Sequence, residues 1–259
     1  HDGRMVPISL VRLKNSKQDG KSKILLYAYG AYKHSILPSF SASRFCLVDR
    51  GITFAIAHIR GGGDLGDIWH EEGKKKLKKN TFLDYIACAN HLIDQRYTFK
   101  GGVCFYGGSA GGLTGGALAN MAPELFFSML LLVPFVDTMT TMLNEKLPLT
   151  PSEWELWGNP IKNKEYFEYI LSYSPYNNLD NKNYPSMLIT TSIFDNRVLY
   201  SEPVKYIAKL RDVKNDNSTQ LLKCKMKAAG HGGMSGRDNA IIELSEEYSF
   251  ILKTGKILN

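Results

Sequence analysis

The clearest chemical signal in the sequence is a G-x-S-x-G pattern, GGSAG at residues 107–111, with Ser109 at its centre. An apolar run of strand length, residues 103–106, precedes it, and a segment of small residues, 113–119, follows it. At a sharp turn from strand to helix, glycines let the backbone pass close to its neighbours, and the serine hydroxyl is lifted above the sheet. A glycine-rich turn that only packs a helix on a strand is the alternative. The flanking strand and helix favour Ser109 as a nucleophile.

A general base for Ser109 must come from elsewhere in the chain, because a serine hydroxyl at its ordinary pKa is a poor nucleophile. In folds with this type of turn, the chain order is serine, acid, histidine. His231 is the only histidine after Ser109, and glycines flank it on both sides. The glycines indicate a loop rather than a packed core position, so we assign the base to His231.

The carboxylate that orients His231 is predicted to be Asp195. It follows the predicted strand 187–191, so it lies at the same carboxyl edge of the sheet as Ser109 and His231. Asp137, which follows the predicted strand 129–133, is the competitor. The remaining candidates lie before strand 187–191 or in a polar stretch that we expect to be exposed: Asp180, Asp212 and Asp216.

The elements that must position these residues are apolar runs of strand length that alternate with segments of helical periodicity. This pattern is typical of a mostly parallel sheet with helices on its faces. The predicted central strands are residues 24–29, 52–59, 103–106, 129–133, 187–191 and 221–226. Residues 6–13 and a polar turn at 15–21 predict an antiparallel hairpin that leads into the first of these strands. The predicted fold class is therefore α/β.

Three helices are predicted from apolar periodicity. The first carries the stripe Phe82, Tyr85, Ile86, Ala89, Leu92 and Ile93. The second begins at Ser201, with a proline in its first turn. The third is C-terminal, over residues 241–252, and is expected to dock on the sheet.

Length and composition fit one soluble domain over residues 1–259. With 259 residues and 44% hydrophobic content, the chain can bury a sizeable core. Its first four residues, HDGR, are typical of the interior of a longer polypeptide rather than of a signal peptide, so we expect a fragment. The longest apolar stretches are well short of the roughly 20 residues needed to cross a bilayer, and no membrane association is expected.

The cysteines and charges indicate a cytoplasmic protein without cofactor or nucleic acid. The first three of Cys46, Cys88, Cys104 and Cys224 lie in apolar segments, and we expect buried, reduced thiols there. Their spacing fits no metal site, and we expect neither a metal nor a cofactor. The net charge of +7 comes partly from one basic run at residues 74–79, which we expect to be solvated. A single run without interleaved aromatics does not indicate nucleic-acid binding.

Taken with the serine, acid and histidine, several further motifs resemble the prolyl oligopeptidase family of serine peptidases, most closely its oligopeptidase B group. The motifs are YAYGAY at 27–32, HIRGGGDLG at 58–66, GGSAGG at 107–112, WGNP at 157–160, SYSPYNN at 172–178 and AGHG at 229–232. The resemblance covers nearly the whole chain. It implies an α/β-hydrolase peptidase domain that acts on short peptides, covered in the family by an N-terminal β-propeller that is not among these residues.

The resemblance also implies an oxyanion hole made by the Tyr29 hydroxyl and the Ala110 backbone N–H. On sequence alone, Tyr29 could equally be a packing aromatic. Two donors directed at the developing oxyanion would stabilise charge that the ground-state carbonyl lacks.

Oligopeptidase B enzymes cleave after Arg or Lys, and the acidic residues that they use match Glu153 and Glu155. Two glutamates two residues apart do not share a helical face, so Glu153 is favoured. Prolyl-specific relatives line this pocket with aromatics, and Tyr32 and Trp154 keep that alternative open.

The sequence departs from the oligopeptidase B pattern where group members carry acidic residues for a second basic side chain. Leu37 and Ser39 stand at these positions, which puts a dibasic preference in doubt. Arg197 matches an arginine that contacts substrate in prolyl oligopeptidases. A carboxylesterase is the nearest enzyme alternative, because the same triad on the same fold cleaves esters. A catalytically inactive interaction module is less favoured, since it typically lacks a triad member or the elbow glycines.

Overall fold

A seven-stranded β-sheet forms the centre of the molecule. The structure is a computed structural model and describes residues 1–257. The strands within these residues are β1 Ile8–Val11, β2 Ile24–Tyr27, β3 Thr53–Ala57, β4 Val103–Gly108, β5 Phe126–Leu132, β6 Ser186–Ser192 and β7 Gln220–Lys225. Their order is β1-β3-β2-β4-β5-β6-β7, and every neighbouring pair is parallel except β1 with β3. The predicted α/β class is confirmed, and the sheet has the α/β-hydrolase topology.

The predicted hairpin between β1 and β2 is wrong. β1 pairs antiparallel with β3, from Ile8 opposite Ala57 to Val11 opposite Phe54. β2 is a wholly apolar strand whose first three residues are buried, and it takes parallel partners on both edges, β3 and β4. Sequence proximity favoured a hairpin, but burial places β2 inside the sheet and leaves the partly exposed β1 at its edge.

Helices cover both faces of the sheet. Within the described residues they are α1 Phe45–Val48, α2 Asp67–Glu71, α3 Lys79–Asp94, α4 Ala110–Met121, α5 Thr138–Met142, α6 Thr150–Trp157, α7 Lys164–Leu171, α8 Ser201–Val213 and α9 Arg237–Thr254. The three predicted helices correspond to α3, α8 and α9. Sequence periodicity did not reveal α5, α6 and α7, which are short and lie between β5 and β6.

Each face of the sheet packs against its own set of helices and has its own apolar core. One contains the buried residues of α3, α4 and α8 together with every second strand residue, such as Leu26 and Phe105. The other contains residues of α1 and α9 with the alternate strand positions, such as Leu25 and Cys104. This alternation follows from the period of two along a strand. No helix among residues 1–257 is both long enough and apolar enough to span a membrane.

Two expectations about burial were wrong. Cys46 is exposed, whereas Cys88 and Cys104 are buried and Cys224 is intermediate; all four are free thiols. Lys78, in the basic run that was expected to be solvated, is 1% exposed. Both positions depend on what packs against them from distant parts of the chain, which a local pattern does not record.

Candidate active site

Ser109 lies at the turn between β4 and α4. Its backbone has φ +55° and ψ −120°, a region that residues with a side chain rarely adopt. The conformation is held by hydrogen bonds, because the Ser109 N–H donates to the Leu132 carbonyl at 2.8 Å and its carbonyl accepts from the Phe135 N–H at 3.0 Å. A strained residue that is fixed by neighbouring backbone in this way is a common feature of active sites.

The glycines after Ser109 permit a very close approach of α4 to strands β4 and β5 and to the segment after β5. A Cβ on Gly112 would lie 2.3 Å from the Pro134 Cβ, and one on Gly115 would lie 2.4 Å from the Leu131 and Phe105 side chains. Any larger residue would push the helix away from the sheet. The small-residue stretch after Ser109 therefore sets the helix position that holds the serine turn.

His231 and Asp195 form a hydrogen-bonded pair above the same edge of the sheet. Asp195 follows β6 and His231 follows β7, and the His231 Nδ1 lies 2.7 Å from the Asp195 Oδ2. An ionised carboxylate only accepts, so the Nδ1 carries the proton and the Nε2 is left as the basic nitrogen. Within residues 1–257, no hydrogen bond joins Ser109 Oγ to His231; such bonds often tighten only when substrate binds.

Asp195 is held as an anion. Burial would raise the pKa of its carboxyl, but three hydrogen bonds outweigh burial and hold the pKa below its usual value. One comes from His231, and the others come from the backbone N–H groups of Arg197 at 2.9 Å and Val198 at 3.0 Å, both to Oδ1. The turn after β6 thus fixes both the charge and the orientation of Asp195.

Asp137, the competing carboxylate, occupies a different environment. It is buried at the N-terminus of α5 and forms an ion pair with Lys205 of α8. Its carboxylate makes no hydrogen bond with His231. The geometry therefore favours Asp195 over Asp137.

Two hydrogen-bond donors lie beside Ser109. Ala110 is the first residue of α4, and no group in the described chain accepts from its backbone N–H, as is general for the first turn of a helix. The Tyr29 hydroxyl is close to Ser109, and burial raises the pKa of Tyr29, which keeps the hydroxyl protonated. The Tyr29 carbonyl accepts from the Thr114 hydroxyl of α4 at 3.2 Å, which ties the tyrosine to the serine helix.

A cavity of about 980 Å³ opens above Ser109. Seven of the nine site residues predicted from the sequence line it: Tyr29, Tyr32, Ser109, Ala110, Glu153, Arg197 and His231. Asp195 is absent from the lining, and it contacts the cavity through His231. Glu155 also lies outside: its side chain is 85% exposed, and it pairs with Lys75 at 3.0 Å. The Trp154 side chain lies outside the cavity as well, and its indole N–H donates to the Met142 carbonyl.

Glu153 is the acidic residue of α6 that lines the cavity. Its Oε2 accepts from the Tyr32 hydroxyl at 2.8 Å and from the Trp157 indole N–H at 2.7 Å. Within residues 1–257, the Oε1 has no hydrogen-bond donor. A carboxylate that is oriented by two donors and keeps one oxygen free is suited to receive a cation.

Glu202 of α8 lines the cavity as well, and sequence reasoning missed it. It is 4% exposed, and it accepts from the Thr141 hydroxyl at 2.6 Å and the Asp137 N–H at 2.9 Å. Burial raises the pKa of Glu202 to about 7. No local pattern could have revealed it, because a glutamate in the first turn of a helix is usually an exposed residue that favours the helix dipole.

Glu202→Gln is expected to change how stability depends on pH. Because the pKa of Glu202 is higher in the folded state than in the unfolded chain, this residue costs no stability below its ordinary pKa near 4.5. As pH rises to about 7, the carboxyl ionises more easily in the unfolded chain, and the folded state is destabilised. A shift of this size corresponds to about 3 kcal/mol. Glutamine at position 202 cannot ionise. Between pH 4.5 and 8, the free energy of unfolding of the variant should therefore rise relative to that of wild type by up to about 3 kcal/mol, measured by urea denaturation. The exposed Glu168→Gln is the control, and curves for Glu202→Gln that stay parallel to wild type would contradict the expectation.

Comparison with known proteins gives the same family from sequence and from structure. A sequence model of the prolyl oligopeptidase family matches residues 38–257. Protease 2 of Moraxella lacunata is 50% identical over 96% of this chain and 36% of its own length, and dipeptidyl aminopeptidase BI of Pseudoxanthomonas mexicana is 46% identical over 97% and 35%. Oligopeptidase B from Leishmania major superposes with a TM-score of 0.96 at 42% identity, over 99% of this chain and 35% of that one. The chain thus spans about a third of the length of these relatives.

Proposed function

The chain belongs to the prolyl oligopeptidase family, and from that premise we propose that it is the catalytic part of a serine-type oligopeptidase that cleaves short peptides after Arg or Lys. One observation carries the proposal. The strained Ser109 turn and His231, which is hydrogen-bonded to Asp195, border one cavity with the Glu153 carboxylate in its wall.

In the proposed reaction, the His231 Nε2 takes the proton from Ser109 Oγ as this oxygen attacks the carbonyl carbon of the substrate. The Tyr29 hydroxyl and the Ala110 N–H stabilise the oxyanion. The protonated histidine then gives its proton to the leaving amine, and an acyl-enzyme remains on Ser109. Water, activated by the same nitrogen, releases the acid product and restores the serine. Asp195 keeps its charge and holds the imidazole in the required tautomer.

The proposed preference for a basic residue before the scissile bond rests on Glu153. A guanidinium or ammonium that enters the cavity meets the free Oε1, while Tyr32 and Trp157 keep the carboxylate in place. Leu37 is 74% exposed and carries no charge, so it offers nothing to a second basic side chain. We therefore expect substrates with one basic residue to be cleaved about as well as dibasic ones.

Cleavage after proline is the second candidate. Tyr32 and Phe135 line the same cavity, and aromatic walls suit the apolar proline ring. Arg197, also in the lining, adds a positive charge that would oppose a basic side chain. The Glu153 carboxylate in the cavity wall supports cleavage after a basic residue as the first candidate.

The proposal also concerns the longer protein. The relatives are about three times as long as this chain, which supports an N-terminal propeller as its partner, a domain that would limit access to short peptides. The four free thiols support a reducing compartment such as the cytoplasm.

Glu153→Gln is expected to lower kcat/KM for an arginyl amide about 10- to 100-fold, because a charge-assisted hydrogen bond to the substrate is lost. The value of kcat/KM for an uncharged substrate should be nearly unchanged. The glutamine keeps the size of the side chain and an acceptor for Tyr32 or Trp157. The measurement is kcat/KM of the full-length protein on matched peptide amides ending in Arg, Lys, Pro and Phe, and on an ester.

Glu155→Gln is the matched control, because it removes the same charge from the same helix outside the cavity and should change no ratio. A wild-type preference for Pro or Phe would contradict the basic specificity and support the prolyl alternative. Hydrolysis of the ester without any amide would support a carboxylesterase.

A further inference from the structure

Lys78 is a buried residue whose amine contacts the backbone next to the proposed oxyanion donor Tyr29. The residue is 1% exposed and immediately precedes α3. Its Nζ donates to the Gly30 carbonyl at 2.5 Å and to the Thr81 hydroxyl at 3.1 Å. Gly30 is the residue after Tyr29, whose hydroxyl is the proposed oxyanion donor. The amine is therefore one peptide unit from the backbone of that tyrosine.

The Gly30 carbonyl depends on this contact. Within residues 1–257, Lys78 is the only donor to its oxygen. The carbonyl is packed so tightly that a Cβ on Gly61 would lie 2.1 Å from its oxygen, and Gly30 itself has φ +78°. A buried carbonyl in a tight turn needs a donor, and here the donor is the end of a long side chain rather than neighbouring backbone.

The same amine lies behind the wall that holds Glu153. Its Nζ is 5.2 Å from the centre of the Trp157 ring, within the range of a cation–π contact. The Trp157 indole N–H donates to Glu153, and its ring also packs against Tyr32 and Phe135. Lys78 thus supports both the oxyanion turn and the aromatic layer of the proposed specificity pocket.

No carboxylate balances the charge of Lys78. Among the described residues none lies within 4 Å of its Nζ, and the ionisable groups on the surrounding elements are engaged elsewhere: Arg60 with Asp84, Glu153 with Tyr32 and Trp157, and Lys79 with the Tyr169 ring. Burial lowers the pKa of Lys78 to about 7. A buried amine without a charged partner lowers the stability of the folded state, whereas an apolar residue of similar volume at the same position often does not lower it. Its position is better explained by the turn that it holds than by the stability of the fold.

We propose that Lys78 is a positioning residue that holds the Tyr29–Gly30 turn, and so the Tyr29 hydroxyl, in the geometry required to stabilise the oxyanion. The proposal rests on the proposed function, because it acts through the Tyr29 hydroxyl. Lys78 is not among the residues that line the cavity, so its removal should slow the chemical step by a part of what the tyrosine contributes.

A double-mutant cycle in the full-length protein tests the proposal. Lys78→Met, which keeps the length and volume of the side chain, is expected to lower kcat for an arginyl amide about 10-fold, less than the loss of the donor itself. In a Tyr29→Phe background, the same substitution should change kcat by less than about twofold, because residues that act through one interaction lose their effects non-additively. Lys79→Met, the adjacent lysine whose amine lies over the Tyr169 ring, is the control and should leave kcat unchanged in both backgrounds.

Each outcome distinguishes this proposal from the proposed function. An equal loss of kcat in both backgrounds, or no loss at all, would overturn the role of Lys78 and leave the Ser109 mechanism untouched. If Tyr29→Phe itself had no effect, the oxyanion assignment would fall and the role of Lys78 with it. Circular dichroism and thermal unfolding check that the variants fold. If Lys78→Met does not fold, Lys78→Gln, which keeps an N–H donor, is used in the same cycle, and equal losses there would overturn the proposal as well.

Discussion

His231→Ala is expected to lower kcat by about 10⁶-fold and Asp195→Asn by about 10⁴-fold, the losses typical when the base or the orienting acid of such a triad is removed. Without the imidazole, Ser109 keeps its proton and is a poor nucleophile. Asparagine in place of Asp195 can present an N–H to the His231 Nδ1, which selects the wrong tautomer and leaves the Nε2 protonated. The measurement is kcat of the full-length protein on an arginyl amide.

Combining either substitution with Ser109→Ala should add little further loss, since the three residues act as one unit. Asp137→Asn is the matched control, because it changes a buried carboxylate after the neighbouring strand that pairs with Lys205 rather than with His231. Near-normal activity in Asp195→Asn together with inactive Asp137→Asn would show that the acid had been assigned to the wrong strand.

Tyr29→Phe is expected to lower kcat by about 10²-fold, the loss typical when one oxyanion donor is removed, with little change in KM. The hydroxyl meets the substrate oxygen only as negative charge develops, so the ground-state complex should be little affected. The Ala110 N–H remains as the second donor, and the variant should keep measurable activity. The measurement is kcat and KM on an arginyl amide.

Tyr166→Phe is the control, because this tyrosine of α7 lies outside the cavity. A Tyr29→Phe variant with a raised KM and an unchanged kcat would assign the hydroxyl to substrate binding instead.

The parts of the fold and site that the sequence predicted follow from rules of chain direction. Parallel strands end at one edge of a sheet, so residues just after β4, β6 and β7 must lie near one another. This rule predicts that Ser109, Asp195 and His231 lie at one edge of the sheet although they are far apart in sequence, and each of them follows the carboxyl end of a strand. The apolar stripes of α3 and α9 were equally readable, because each spans several turns.

The parts that the sequence did not predict depend on contacts between distant segments. The pairing of β1 with β3 rather than with β2 is decided by which strand is buried on both edges. Lys78 belongs to a basic run, yet its amine is enclosed by Trp157 and Phe82. Spacing favoured Glu153 over Glu155, but only the fold shows that the first is held by Tyr32 and the second is solvated.

The most direct measurement of the central assignment is covalent labelling of the full-length protein with a fluorophosphonate, followed by peptide mapping. Such a probe reacts with a serine that a neighbouring base has activated. The assignment predicts one adduct, on the peptide that contains Ser109, and its loss in Ser109→Ala while the fold is retained. An adduct on another serine that persists in Ser109→Ala would contradict it.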